Sequence, residues 1–226
     1  MKTDSPYIFP DPNDPNSIEA HKLNVLSAFD PLFTIIELAL RDSVPQATNV
    51  FSLLEGPVEP TVHAAITRYL CKRYLSEQQV ATEEEVEIEI DQVANCGLCI
   101  NQKQSQIRIL KSTPVGIPKA TSEARRRFYS SNQYLIPFEG STSATAQSQT
   151  SLSLIVLWTL GEKFSFKGME IACPRGERED GNVDCYWIAS WKGNAFSHGV
   201  PQLTAAIPDT DLDEIKPIEE RKKASS

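Results

Sequence analysis

The chain has little of what marks an exported, membrane-bound or nucleotide-using protein. No apolar run in it approaches the roughly 18 residues of a membrane-crossing helix. Residues 1–16 carry Pro6, Pro10, Pro12 and Pro15 where a secretory signal would have an apolar core. No Asn-x-Ser/Thr acceptor is present. Positive charge is also short: 22 Lys and Arg face 30 Asp and Glu, a net charge of −8 over 226 residues, which speaks against a surface built for nucleic acid. Imidazoles number three, His21, His63 and His198. The Gly-x-Ser-x-Gly elbow, the Walker loop, the dinucleotide fingerprint and the His-Glu-x-x-His zinc motif are all missing. The expectations are therefore no membrane, no nucleic acid and no cofactor, in a cytoplasmic protein for which Arg221-Lys222-Lys223 leaves a nuclear setting open. The oligomeric state is not legible.

What is present changes character along the chain. Asn16-Ser17-Ile18-Glu19 predicts a capped helix start, with the helix running to Phe29, and Asp30-Pro31 restarts or kinks it because proline is best tolerated in a first turn. Leu32 to Arg41 is apolar over more than one stripe, as in a helix buried on most sides. A separate short helix is expected at 48–54 and a long one at 60–79, its inward stripe being Val62, Ile66, Tyr69, Leu70 and Arg73.

The period then switches to two. Val86-Glu87-Ile88-Glu89-Ile90-Asp91 and Gln106-Ile107-Arg108-Ile109-Leu110 alternate strictly, so the two are expected to pair as antiparallel strands, with Arg108 and Lys111 offsetting the acidic face. That acidic face reads as solvated rather than as a cation loop. A turn is expected at 101–104 and a short helix at 123–130, whose Arg125, Arg126 and Arg127 would pair with the acidic strand. Residues 139–150 are small and polar and read as a mobile loop, 151–160 as a central strand, and 164–173 and 183–191 as two further strands of a meander. The expected architecture is α+β: an extended segment 1–16, then one domain over 17–200 with helices 17–80 packed on a mostly antiparallel sheet 84–192, then a disordered tail 201–226.

Three sets of residues carry candidate chemistry. Trp158, Phe164, Phe166, Tyr186, Trp187 and Trp191 fall on successive strands, either as ordinary core or as the wall of an apolar pocket with Tyr186 or an indole as polar handle; Trp158, Phe166, Tyr186, Trp187 and Trp191 are the ligand-binding candidates. His198, Asp184 and Tyr186 are the acid–base candidates for an enzyme using that pocket, while His21 and His63 read as solvated or edge residues of helices. Cys96 and Cys99 have a zinc-type spacing, and Cys173 and Cys185, flanking 174–182, would sit nearly opposite each other in a hairpin and complete a four-thiolate site. The plainer reading makes the cysteines small buried hydrophobes, reduced because no secretory signal accompanies their odd number.

The segments Leu157-Trp158-Thr159-Leu160, Gly168-Met169-Glu170-Ile171-Ala172-Cys173-Pro174 and Cys185-Tyr186-Trp187 resemble uncharacterised proteins of filamentous fungi, some encoded beside secondary-metabolite genes. The resemblance implies natural-product biosynthesis as a context and assigns no catalytic residue. Three functional readings follow: a binding or accessory protein engaging a partner protein or a small apolar ligand through the aromatic face or an exposed helix; a cofactor-independent enzyme acting on a small natural-product intermediate; and a zinc-stabilised adaptor.

Overall fold

The computed structural model describes residues 9–53, 57–81, 98–102, 105–132 and 152–192, with the side chains of 78–81 and 102 left aside. All of these fall within one compact unit, Met1–Asn194; the second unit, Ala195–Ser226, contains no described residue. The acidic strand at 86–91, the mobile loop at 139–150 and the tail at 201–226 therefore lie outside the described residues.

Helix α1, Pro15–Ala28, begins two residues earlier than expected, so the extended segment does not reach residue 16. Asp14 is the cap, its side chain accepting from the amide of Asn16. Pro15 explains the shift: it needs no hydrogen bond in the first turn, which hands the capping position to the acid before it. A bend of 67° separates α1 from α2, Asp30–Leu53, with Pro31 in the new first turn.

Helix α2 is one continuous helix rather than the two pieces expected, and it carries Pro45 inside it. Such a proline forfeits one main-chain bond and costs about 3 kcal/mol. The continuity is maintained by burial on both sides of the break, from Phe33, Ile36 and Leu40 to Val44, Ala47 and Phe51. No single helix among the described residues is long and apolar enough to cross a membrane.

Helix α3, Pro60–Ala81, has the expected extent but the opposite inward face. His63, Ala64, Thr67, Cys71 and Leu75 are buried, whereas Val62 is 45% and Tyr69 69% exposed. The helix has two stripes of helical spacing. Packing on α2 selects the one whose small residues permit close approach, and it leaves the bulkier one facing out.

Among the described residues five strands form one sheet in the order β1-β2-β3-β4-β5: Leu98–Gln102, Ser105–Lys111, Leu152–Leu160, Phe166–Glu177 and Val183–Trp191. All neighbours are antiparallel except β2 and β3. The described partners of β2 are thus β1 and β3, not the 86–91 segment. Joining parallel strands requires a crossover, and helix α4, Glu123–Ser130, lies in it.

Alternation along β3 divides the interior in two. Leu152, Leu154, Val156 and Trp158 face α1–α3, and Ile155 and Leu157 face Phe128 and Tyr129 of α4. Both faces of β3 are covered, which is why its middle reads as an unbroken apolar run.

Candidate functional site

Lys111 ends β2 and Leu160 ends β3, and because these strands are parallel both carboxyl ends lie at the same end of the sheet. In open, mostly parallel α/β sheets ligands bind outside such ends; here β2 and β3 are the one parallel pair among the described strands. A cleft of about 440 Å³ opens there, lined by Pro60 at the start of α3, Lys111 at the end of β2 with Ser112 to Pro114 after it, and Thr159 and Leu160 at the end of β3 with Gly161, Lys163 and Phe164 after it. The volume falls in the range of small-molecule sites, roughly 300–1,000 Å³.

Local chemistry shapes the cleft. The amide of Ser112 donates to the Trp158 carbonyl at 2.8 Å, carrying the β2–β3 ladder one step past the strand, and Thr113 and Gly116 then exchange main-chain bonds at 2.9 Å in a tight turn. On the other wall the segment 162–164 makes a single 3₁₀ turn in which Lys163 (φ 53°) and Phe164 (φ 58°) are both left-handed. Two successive non-glycine residues in that region cost about 1–2 kcal/mol each. The turn is held by bonds from Gly161 N to Ser165 O (2.7 Å) and from Ser165 N to Glu162 O (3.1 Å), and a Cβ on Gly161 would stand 2.9 Å from Ser165 Oγ.

Behind the cleft the Phe164 ring lies 5.0 Å from the ring of His63. His63 is fully buried, not an edge residue: Nε2 is 3.0 Å from Thr48 Oγ1, and Nδ1 is 3.4 Å from Thr67 Oγ1. Its pKa is pushed below 6.5 by burial and then by the positive charge of Lys111. Lys111 donates to the Pro60 carbonyl at 3.5 Å; burial and the neighbouring Arg68 lower its pKa, with Glu59 acting in the opposite sense. Glu59 is already engaged as the cap of α3, accepting from the amides of Thr61 and Val62.

The aromatic residues expected to line a pocket are built into the interior between the sheet and the helices instead. Trp158 is wholly buried, Trp187 donates its indole N–H to His21 Nδ1 at 3.0 Å, and Trp191 donates to Glu37 and meets Phe33 edge-on at 5.3 Å. Phe166 is part-buried with the Arg41 guanidinium over its ring at 5.4 Å. His21, expected at a solvated position, is 7% exposed, and burial lowers its pKa. The amphipathic set seen in the sequence is therefore core, because α1 and α2 present Val25, Phe29, Phe33 and Ile36 to fill the space above it.

The acid–base candidates do not converge. Asp184 is ion-paired with Arg175 at 3.2 Å and Arg178 at 3.1 Å. Tyr186, the residue skipped where the β4–β5 register shifts between Cys173 and Pro174, donates its hydroxyl to the Asn132 carbonyl at 3.1 Å. His198 lies outside the described residues.

The thiols do not gather either. Cys99 is on β1 on the sheet face that carries α4, and Cys173 is on β4 on the face of α1–α3, three strand spacings away, about 14 Å at ~4.8 Å per strand. Cys173 pairs with Trp187, and Cys185 with Pro174, so even these two are out of register. Burial pushes the Cys185 thiol up to about 12 and raises Cys173 further, which disfavours the thiolates a zinc ion needs. Cys96 lies outside the described residues, among which no group of three His, Cys, Asp or Glu side chains is arranged to hold a metal.

The arginines expected to face the acidic strand have other described partners. Arg126 pairs with Glu177 at 3.4 Å, Arg127 with Glu123, and Arg108 lies over the Phe128 ring at 4.4 Å. Of the aromatic set offered by the sequence as a possible pocket wall, Phe164 alone lines the cleft, and the cleft itself was not foreseen. Its one local signal was the pairing of strand ends with short turns at Ser112–Gly116 and Gly161–Ser165, which periodicity does not rank.

Comparison with protein-family models, curated proteins and solved structures finds no match to this chain. The functional reading rests on the geometry.

Proposed function

We propose that the protein is a binding or accessory protein that takes a small, largely apolar molecule into the cleft at the carboxyl ends of β2 and β3. The observation that carries the reading is the make-up of this cleft: Pro60, Pro114, Leu160 and Phe164 supply apolar surface, and Ser112, Thr113, Thr159 and the two lysines place polar groups around it. This is the usual division of labour in a ligand site. The two left-handed residues in its wall support the reading, since strain of that kind is kept where a local shape is needed. The setting we propose with it, on the sequence resemblance and the cysteine usage, is the cytoplasm or nucleus, in fungal secondary metabolism.

The enzyme alternative draws less support. Asp184 and Tyr186 are occupied by ion pairs and by a main-chain acceptor, and neither lines the cleft.

The test is an amide-detected NMR titration of the full chain with a panel of naphthalene derivatives, neutral and charged. The reading expects shifts concentrated at Ser112, Thr113 and Thr159–Phe164, and their disappearance in Thr159→Trp, which fills the cleft. Shifts scattered over the surface, or surviving that substitution, would sink it.

A further inference from the structure

Building on the reading of the cleft as the ligand site, we infer that its ligand carries an oxyanion, a carboxylate or a phosphate ester, on an apolar body, with Lys111 and Lys163 receiving the anion and Leu160 and Phe164 the body.

The charge of the lining favours an anion. The ten lining residues include two lysines and no Asp or Glu, in a chain whose acids outnumber its bases by 30 to 22. Glu59, an acid that acts on Lys111 from outside the lining, has its oxygens committed to the amides of Thr61 and Val62. Glu162, in the same turn as Lys163, is exposed and does not line the cleft.

The donors of the lining favour an anion as well. Ser112 Oγ donates to the Thr113 carbonyl at 3.3 Å, and Thr113 Oγ1 donates to the Gly116 carbonyl at 2.9 Å. A hydroxyl has one proton to give, so these two present lone pairs to the cleft. Lys111 has three N–H groups and gives one, at 3.5 Å, to Pro60. Thr159 adds a neutral hydroxyl, but the charged donors of the lining are the two ammonium groups, and ammonium donors are matched best by oxyanions.

Charge and apolar surface are also adjacent. Lys163 is held at φ 53° and Phe164 at φ 58°, so the same strained turn brings a cation and a flat apolar ring to one wall. A ligand that is anionic at one end and apolar at the other uses both.

The experiment compares 2-naphthoate, 2-naphthyl phosphate and neutral 2-naphthamide by the same NMR titration on the full chain. At least one anion should bind about tenfold more tightly than the amide, a difference of ~1.4 kcal/mol, and the advantage should fall to near nothing in Lys163→Gln and in Lys111→Met. Lys163 is exposed, so its substitution leaves a folded protein to measure should the half-buried Lys111 not tolerate change. The tighter of the two anions assigns the headgroup. Equal binding of amide and anions at the cleft, or an anion advantage that survives both substitutions, overturns the oxyanion while leaving the cleft as a binding site. No response at the cleft from any of the three probes overturns both.

Discussion

The side-chain amide of Asn132 donates to the carbonyl of Pro174 at 2.9 Å, completing a sheet where the main chain cannot. The β3–β4 ladder stops at Ile155 and Ala172, and beyond it Pro174 has no N–H to offer. Asn132 takes over. It accepts from the Ser153 amide at 2.8 Å and donates to the Ser153 carbonyl at 2.6 Å, acting as a short substitute strand. Its own carbonyl receives the Tyr186 hydroxyl. One buried residue just after α4 thus ties the crossover to three strands.

Asn132→Ala should lower stability by about 3 kcal/mol or more, because the Ser153 amide and two carbonyls lose their partner in a buried place at about 1–3 kcal/mol each. Urea denaturation measures this. A loss under about 1 kcal/mol would mean that water or main chain replaces the amide.

Acid should weaken the fold through His21 and His63. Burial is the first cause of the lowered pKa of both, so between the folded value and 6.5 the unfolded chain binds more protons. Stability therefore rises with pH in that window: the contribution is whole above 6.5 and is lost as pH falls through the folded value. His21 has a further reason to stay neutral, since Trp187, which can only donate, occupies Nδ1. Proton NMR of the two rings should give midpoints below 6.5 for both, and denaturation at several pH values should show the decline; a midpoint at or above 6.5 for either contradicts its burial.

Cys71, Cys99 and Cys173 should resist alkylation in the native protein. All three are buried, and burial pushes the Cys71 thiol up to about 12. Iodoacetamide labelling with peptide mapping should leave them unmodified at neutral pH and label them in denaturant. Rapid native labelling of Cys173 would show that the β4–β5 region opens.

Lys163→Gly should stabilise the protein by up to about 1.5 kcal/mol, the left-handed strain relieved (about 1–2 kcal/mol) less the freedom glycine adds to the unfolded chain (about 0.5–1 kcal/mol). Thermal denaturation checks it. A destabilised variant would show that Lys163 makes contacts worth more than the strain.

On α3, Leu75→Ala should cost about 2–5 kcal/mol, whereas Tyr69→Ala should change stability by no more than about 0.5 kcal/mol, the residue being 69% exposed. Comparable losses at both would place the second stripe in an interface.

Several elements were legible because their signals are local. The α+β class, the span of α3, the doubly buried β3, the short α4 and the β4–β5 hairpin all follow from period, caps and turn residues within the segment concerned. Local signals also misled where two were close in strength: Asn16 against Asp14 as the cap of α1, Pro45 against the apolar faces flanking it, and the Val62–Tyr69 stripe against the smaller His63–Leu75 face. In each case the deciding term was packing or an adjacent proline, neither of which a stripe count contains.

The α+β class, the helices α1, α3 and α4 in outline and the strands β2 to β5 were written in the sequence, since backbone propensity and side-chain period act over a few residues. Only the tertiary structure decided that β2 and β3 run parallel, that the aromatic set is filled core, that Asn132 reaches partners 21 and 42 positions away, and that Pro60, Lys111 and Lys163 meet in one cleft. Those outcomes depend on which surfaces exclude water together and which buried polar groups must share a bond, and such competition is resolved only when the whole chain has closed on itself.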